Sequence, residues 1–296
     1  MPFYKKCIED ASRIPNLAKN AHFAGGEPFL YFQQLLELVQ HARKHGFSIS
    51  IVTNGFWGSN SESAKDHISC LVDAGLSRVE LSTDSFHKEF ITTQTVKGAI
   101  RILKAAGVDI VLRVVTTRKH MIDEAIRDLG LEDLDGLEIV GSPVVPVGRA
   151  LSAVPEEEYY LSQSGSIGAC STLLNLTIRW DGNVFPCCAG SELIPSLSLG
   201  NTNSMPLNII VRNAEWNILL KKLVSQGPAS FFPILQQAGL AHKISPQYTN
   251  ICHACTRLFA DPEVVSVVRS WILIAQQKSL AGLLTKLPYV YHERNR

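Results

Sequence analysis

The stretch "HFAGGEPFLYF", residues 22–32, sets the reading of the first half of the chain. A strand-like apolar run stops at Gly25 and Gly26, then an acid and a proline follow. Two adjacent glycines let the backbone turn sharply and let a ligand approach it closely. Glu27 can accept a charge-assisted hydrogen bond from a cationic group, and Pro28 stiffens the exit. The run therefore reads as the C-terminal end of a strand, shaped to face something.

Its surroundings repeat one pattern. A helix is expected over 3–18, with Pro2 at its start, and a strand over 21–24. "YFQQLLELVQHARKHG" has apolar residues at helical spacing and ends at Gly46. "FSISIVTNG" is a strand ending at Gly55. "SNSESAKDHISCLVDAG" opens with Ser59 and Glu62 at capping-box spacing and closes at Gly75. Then come the strand "SRVELSTD", a helix over 91–106, the strand "VDIVLRVVTT", a helix over 121–130 and the strand "GLEIVGSP". Five strands alternating with helices between residues 20 and 145 predict right-handed βαβ units: a parallel sheet with helices outside. Glu27, Asn54, Ser82, Asp84 and Thr116 fall at C-terminal strand ends, the rim where α/β sheets place ligands. Taken singly, each is equally a turn former.

Composition excludes several classes. The 296 residues are 46% hydrophobic and 19% charged, with a formal net charge of +1, which is globular. No basic stripe interleaved with aromatics points to nucleic acid. The apolar run Trp271 to Ala275 is too short to span a bilayer, so no membrane partner is expected. "MPFYKKCIEDA" lacks a signal peptide's apolar core, and a cytoplasmic location is expected by default.

The pattern changes after residue 150, dividing the chain into 1–150 and 151–296. "PEEEYYLSQSGS" is a polar connection, and "NLTIRWDGNVFPCC" is a hairpin around Asp181-Gly182. A loop over 195–205, helices over 207–225 and 229–239, "ICHACTRLF" and a C-terminal helix over 262–284 complete it. Of seven cysteines, Cys7 and Cys70 lie on helical patterns as small hydrophobes, and five follow residue 165. Cys252 and Cys255 form a CxxC, whose two-residue turn is expected to point both sulfurs inward. Cys170 and Cys187 flank the hairpin. The residue types leave buried thiols, a four-cysteine zinc site and an iron–sulfur cluster open, since zinc and clusters share tetrathiolate ligation. Cys188 is a spare or alternative ligand, and His253 is expected to point away from the metal.

These residues resemble the radical S-adenosylmethionine (SAM) family. "HFAGGEPFL" looks like its GGEP motif, and "VTNG", "LSTDSFH" and "PVGRA" follow in the family's order. Cys170, Gly182 and Cys187 match the Cys-Gly-Cys opening of the SPASM/Twitch extension, followed by "LGNTNSMPL". The resemblance implies a partial (β/α) barrel of radical SAM type with its first strand missing. A small C-terminal Fe–S-binding α+β domain follows. It implies that Gly25, Gly26, Glu27 and Pro28 bind the methionine part of SAM, with Thr53 and Asn54 nearby. Ser82 and Asp84 become candidates for ribose or amino-acid contacts, and Arg113 for the SAM carboxylate. One auxiliary [4Fe–4S] cluster would use Cys170, Cys187, Cys252 and Cys255. A peptide, protein or small-molecule substrate and an electron donor such as ferredoxin or flavodoxin would be the partners. No residue is singled out as catalytic.

One departure matters. Radical SAM chemistry uses a [4Fe–4S] cluster held by CxxxCxxC, and no such motif occurs in these residues. With it go strong SAM binding and cleavage by this chain alone. Two expectations follow: an N-terminally truncated enzyme, with Met1 internal or misassigned, or a non-catalytic iron–sulfur or zinc-binding relative that acts as a partner or scaffold. Truncation is preferred, because a missing first strand leaves an open sheet edge and because the ligand-facing GGEP is intact. The genomic DNA upstream of the Met1 codon distinguishes the two.

Overall fold

The structure is a computed structural model, and it describes residues 1–59, 61–130, 135–171, 173, 175–191 and 194–284. The chain forms two compact units: Met1–Tyr160 with Pro206–Ile209, and Leu161–Met205 with the residues from Ile210 onward.

In the first unit, helix α1 (Pro2–Ser12) leads to strand β1 (Asn20–Phe23). Then α2 (Phe32–Lys44), β2 (Ser48–Thr53), α3 (Ser61–Asp73), β3 (Leu76–Ser82), the one-turn α4 (Ser85–Lys88), α5 (Thr93–Ala105), β4 (Asp109–Thr116), α6 (Ile122–Leu129) and β5 (Glu138–Pro143) follow. The five strands pair in parallel in the order β1-β2-β3-β4-β5, so each βα unit lays its strand beside the previous one. This is the sheet of a partial α/β barrel.

Side chains alternate across the strands. Ile49, Ile51, Val79, Leu81, Ile110 and Leu112 are buried with Leu35, Val39, Ile68, Leu71, Ile100 and Leu103 of the helices, forming the core. The opposite set on the same strands includes His22, Ser50, Arg78, Glu80 and Arg113. Parallel strands covered on both faces read as continuous apolar runs. These alternate, so one face carries chemistry. Gly58 and Gly98 seal the helix layer by close approach. A methyl on Gly58 would stand 2.3 Å from the Thr95 carbonyl, and one on Gly98 would stand 2.3 Å from the Gly58 carbonyl.

The expected boundaries shift in a few places. The first helix ends at Ser12, short of residue 18. Ser59 does not cap α3. It ends the 3-10 turn Phe56–Ser59, and its hydroxyl donates back to the Phe56 carbonyl at 3.2 Å.

After residue 160 come β6 (Ser162–Gln163), β7 (Thr177–Ile178), β8 (Asn183–Phe185), β9 (Gly200–Asn201), α7 (Leu207–Glu215), α8 (Ile218–Gln226), α9 (Phe232–Gln237), β10 (Gln247–Tyr248), α10 (Ile251–Ala260) and α11 (Pro262–Leu284). The expected hairpin is β7–β8. The expected loop over 195–205 contains β9, which pairs antiparallel with β8. The single helix expected over 207–225 is two, because Asn217 caps α8 by accepting from Leu220 N at 3.2 Å. The CxxC lies on α10, so Cys252 and Cys255 sit one helical turn apart and not in the two-residue turn expected.

Candidate functional site

Two sites emerge, one in each unit. The first is the rim at the C-terminal ends of β1 and β2. Gly25 and Gly26 have φ of +97° and +54°, conformations that side chains strain to adopt, and open space lies beside both Cα atoms. Glu27 is the hub. Its Oε1 accepts from Phe29 N at 3.1 Å and Thr53 Oγ1 at 2.8 Å, and its Oε2 accepts from Asn54 N at 2.8 Å. The carboxylate thus binds the end of β1 to the end of β2. A carboxylate has about four acceptor positions, and three are filled. The remaining one lies on Oε2.

Thr53 is buried, at 2% exposure, and its hydroxyl is saturated. It donates to Glu27 and accepts from Gly55 N at 3.1 Å and Trp57 Nε1 at 3.2 Å. Asn54 Oδ1 accepts from Phe56 N at 3.0 Å. Trp57 and Phe29 stack with centroids 4.9 Å apart, flooring the rim. Trp57 carries no sequence signal as a site residue. Only the folded contact with Thr53 reveals it.

At the end of β3, Ser82 pairs in register with Arg113. Asp84 is 2% exposed. Its Oδ1 accepts from Phe86 N and His87 N, both at 3.0 Å, and from His87 Nδ1 at 2.9 Å; its Oδ2 accepts from Val115 N at 3.3 Å. The acid caps α4 and ties it to β4, so its oxygens are engaged within the chain. Burial pushes the Asp84 carboxyl up, but the His87 hydrogen bond and charge outweigh it, and the net shift is downward. His87 is raised, chiefly by that same bond. Thr116 ends β4 and is buried.

On the polar face, Arg113 Nε donates to Glu80 Oε2 at 2.6 Å. Glu80 stays below the usual range, because Arg113 overcomes the effect of burial. His22 Nδ1 lies 2.7 Å from Ser50 Oγ, and burial lowers its pKa. Arg78 pairs with Asp109 at 2.5 Å and Glu138 at 2.7 Å. Arg113 and Arg78 on this face are both paired with carboxylates.

The second site is a cavity in the second unit. Cys170, Cys187, Cys252 and Cys255 line it, with Pro186, Leu197 and Leu223 among the apolar walls. Cys170 is pinned by its N–H to the Leu223 carbonyl at 3.0 Å. Cys187 ends the β8 arm, and Ser191 Oγ donates to its carbonyl at 2.5 Å. Asn250 Oδ1 caps α10 by accepting from His253 N at 3.0 Å, which orients Cys252 and Cys255. Cys188 is exposed. His253 is buried; its Nδ1 accepts from Thr249 N at 3.1 Å and its ring packs edge-on against Tyr248. Burial lowers its pKa to about 4.

The hairpin is locked from behind. Gly182 turns it at φ +84°, and a methyl there would strike Asn203 Nδ2 at 2.5 Å. Asn201 and Asn203 each donate an amide to the Asp181 carbonyl at 3.0 Å. The "LGNTNSMPL" segment therefore holds the turn that aims Cys187.

Burial drives the Cys252 thiol up to about 11, and Cys255 higher still; Cys187 and Cys170 add to both. Four thiolates cannot share this space without a cation, which is the condition a metal centre meets. Tetrahedral zinc, with bonds of about 2.3 Å, would draw its sulfurs to about 3.8 Å from one another. Among the described residues, the one set of three or more His, Cys, Asp or Glu donors within 4.8 Å is Glu9, His41 and His45. The four-cysteine donor set suits either a zinc ion or an iron–sulfur cluster, which share tetrathiolate ligation.

Comparison with known proteins now defines the class. Residues 5–129 match the radical SAM superfamily, and residues 170–256 match SPASM, an iron–sulfur cluster-binding domain. Over these residues the chain carries a radical SAM domain and a SPASM domain. Among particular relatives, it is 24% identical to the putative peptide biosynthesis protein YydG of Bacillus subtilis (strain 168), over 82% of this chain and 78% of that protein. Its fold is similar to native anSMEcpe with bound AdoMet: TM-score 0.53 at 15% identity, covering 90% of this chain and 88% of that one. The structure of native anSMEcpe with bound AdoMet and the Kp18Cys peptide gives a TM-score of 0.52 at 17% identity, with 90% of each chain covered. Among the described residues no helix is long and apolar enough to cross a membrane.

Proposed function

We propose that this chain is the SAM-positioning and auxiliary-cluster framework of a radical SAM protein that modifies a peptide. The observation that carries the reading is the cavity in the second unit, where four cysteines from three separate segments converge. Support for a peptide substrate comes from the relatives, one named for peptide biosynthesis and one bound to a peptide.

The roles of the residues follow from their chemistry. The Gly25-Gly26 backbone offers open space where the methionine end of SAM can lie, and the remaining acceptor position of Glu27 takes a hydrogen from its ammonium group. Pro28 starts the short 3-10 turn that bends the chain out of the rim, and Thr53 and Asn54 hold Glu27 in place. Ser82 faces the ribose. Asp84 acts by positioning the β3 end. Arg113, already bonded to Glu80, orders the polar face where substrate lies. Cys170, Cys187, Cys252 and Cys255 hold an auxiliary [4Fe–4S] cluster, and an electron donor of the ferredoxin or flavodoxin kind serves the reaction.

When bound beside a CxxxCxxC-held cluster, SAM supplies the radical that takes a hydrogen atom from the substrate. These 296 residues contain no CxxxCxxC, so they are expected to bind SAM weakly or not at all and not to cleave it by themselves. The same observation favours a second reading, a non-catalytic cluster-binding partner of an active enzyme. Anaerobic reconstitution with a strong reductant and SAM, followed by assay for 5′-deoxyadenosine, separates the expectations. Turnover by the chain alone sinks both the inactivity prediction and the scaffold reading. No turnover, with activity restored by a chain extended to carry CxxxCxxC, supports the enzyme reading. No turnover even then, with the auxiliary cluster intact, leaves the scaffold reading standing.

A further inference from the structure

We propose that α1 and α2 carry a second metal site, a binding point for one Zn²⁺ ion formed by Glu9, His41 and His45. It lies in the first unit and is independent of the cysteine cavity. The donor atoms of the three residues all lie within 4.8 Å of one another. His41 and His45 stand four residues apart on α2 and its C-cap, so both rings project from one face. Their ring centroids are 4.7 Å apart. Glu9 comes across from α1 to place Oε1 3.2 Å from His41 Nε2.

The spacing suits the ion. Zinc bonds of about 2.0–2.2 Å to nitrogen and oxygen separate tetrahedral ligand atoms by about 3.3–3.5 Å. The Glu9–His41 pair already stands near that distance, and the His45 donor atom lies within 4.8 Å of both. Two imidazoles and a carboxylate fill three positions, leaving water for the fourth.

Two further observations point to a cation. His41 Nε2 is buried, and despite its closeness to Glu9 it makes no hydrogen bond of acceptable geometry. A buried ring nitrogen beside an unaligned carboxylate oxygen is unsatisfied unless something positive stands between them. Second, Ser12 Oγ donates to the Glu9 carbonyl at 2.7 Å and lies 3.5 Å from His45 Nδ1. With its proton spent on Glu9, the hydroxyl accepts from Nδ1–H, which leaves the His45 Nε2 lone pair for a metal. The C-terminal end of α2, where its last carbonyls point, adds negative potential at the same place. The competing occupant of the gap is a proton shared between His41 and Glu9.

The test uses the tag-free full chain with its cysteines already loaded by reconstitution with iron and sulfide. Zn²⁺ is added, excess is removed, and zinc and iron are counted per chain; the melting temperature is read with and without zinc. The expected result is one zinc beyond the iron, with a higher Tm. Glu9→Gln, His41→Gln and His45→Asn should each weaken zinc binding by about tenfold or more with iron content unchanged, while Cys188→Ser keeps it. Should His41→Gln fail to fold, Glu9→Gln and His45→Asn carry the test. No zinc above the iron background overturns the site. So does zinc uptake that survives in Glu9→Gln and His45→Asn, or uptake lost in Cys188→Ser instead.

Discussion

The rim of the first unit and the cavity of the second solve the same problem in opposite ways. At the rim, the chain satisfies its own polar groups: Glu27, Thr53, Asn54 and Asp84 accept or donate within the chain. That site is organised before any ligand arrives. In the cavity, the donors are thiols pushed up by burial and by one another, and they become thiolates when a cation shares the space. One region draws its order from hydrogen bonds; the other, on the proposed reading, would draw it from a metal. A ligand should therefore change the stability of the second far more than that of the first.

The largest effect tests the cavity. Cys252→Ser with Cys255→Ser should abolish the cluster, and with it a contribution to folding of several kcal/mol or more, since structural metal sites reach about 10 kcal/mol. Unfolding of the second unit, followed by far-UV circular dichroism before and after chelation, reads this. An iron-free chain that melts like the loaded one breaks the contrast.

Next comes the hub of the rim. Glu27→Ala leaves two backbone N–H groups and the Thr53 hydroxyl without their acceptor, and should cost about 2–4 kcal/mol in urea denaturation. Glu27→Gln keeps one oxygen and should cost less than half as much. Equal losses would mean that charge, and not the clamp, holds the two strand ends together.

A smaller effect belongs to the cap of α4. Asp84→Ala should cost about 1–2 kcal/mol, because Phe86 N, His87 N and Val115 N lose their acceptor.

The smallest is a pH effect on the same pair. The lowered Asp84 contributes stability above the ordinary carboxylate range and loses it as pH falls through its folded value. The raised His87 contributes below its ordinary 6.5 and loses it as pH rises through its folded value. The pair should therefore stabilise most between about pH 4 and 6.5. With the His87 side chain 39% exposed, the decline above that window should stay below about 1 kcal/mol, and His87→Ala should flatten it. An unchanged pH profile in that variant removes His87 from the explanation.

Much of this was legible in the residues, for physical reasons. The five strands could be read because helices and strands alternate and because glycines such as Gly46, Gly75 and Gly107 close the helices. Cys170, Cys187, Cys252 and Cys255 could be picked out, and they line one cavity. The use of Glu27 was only half legible. Its acidity and its glycine neighbours point to a ligand, but the bonds to Thr53 and Asn54 span more than 25 residues and appear only once β1 and β2 pair. The same holds for Trp57, for the Asn201 and Asn203 clamp on the hairpin, and for Glu9 with His41 and His45, which meet through helix packing alone. The CxxC was placed in a turn because spacing fits either geometry; the Asn250 cap decides for the helix. Ser59 had capping-box spacing to Glu62, yet a local 3-10 turn claimed its hydroxyl first.

The central claim is that four cysteines of the second unit hold an iron–sulfur cluster. It is tested by counting iron and sulfide and recording the visible spectrum after anaerobic reconstitution of the full chain. The predicted result is brown protein with about four iron and four sulfide per chain, and loss of both colour and iron in Cys252→Ser with Cys255→Ser. Colourless protein holding one zinc per chain, released by that same double substitution, would contradict it.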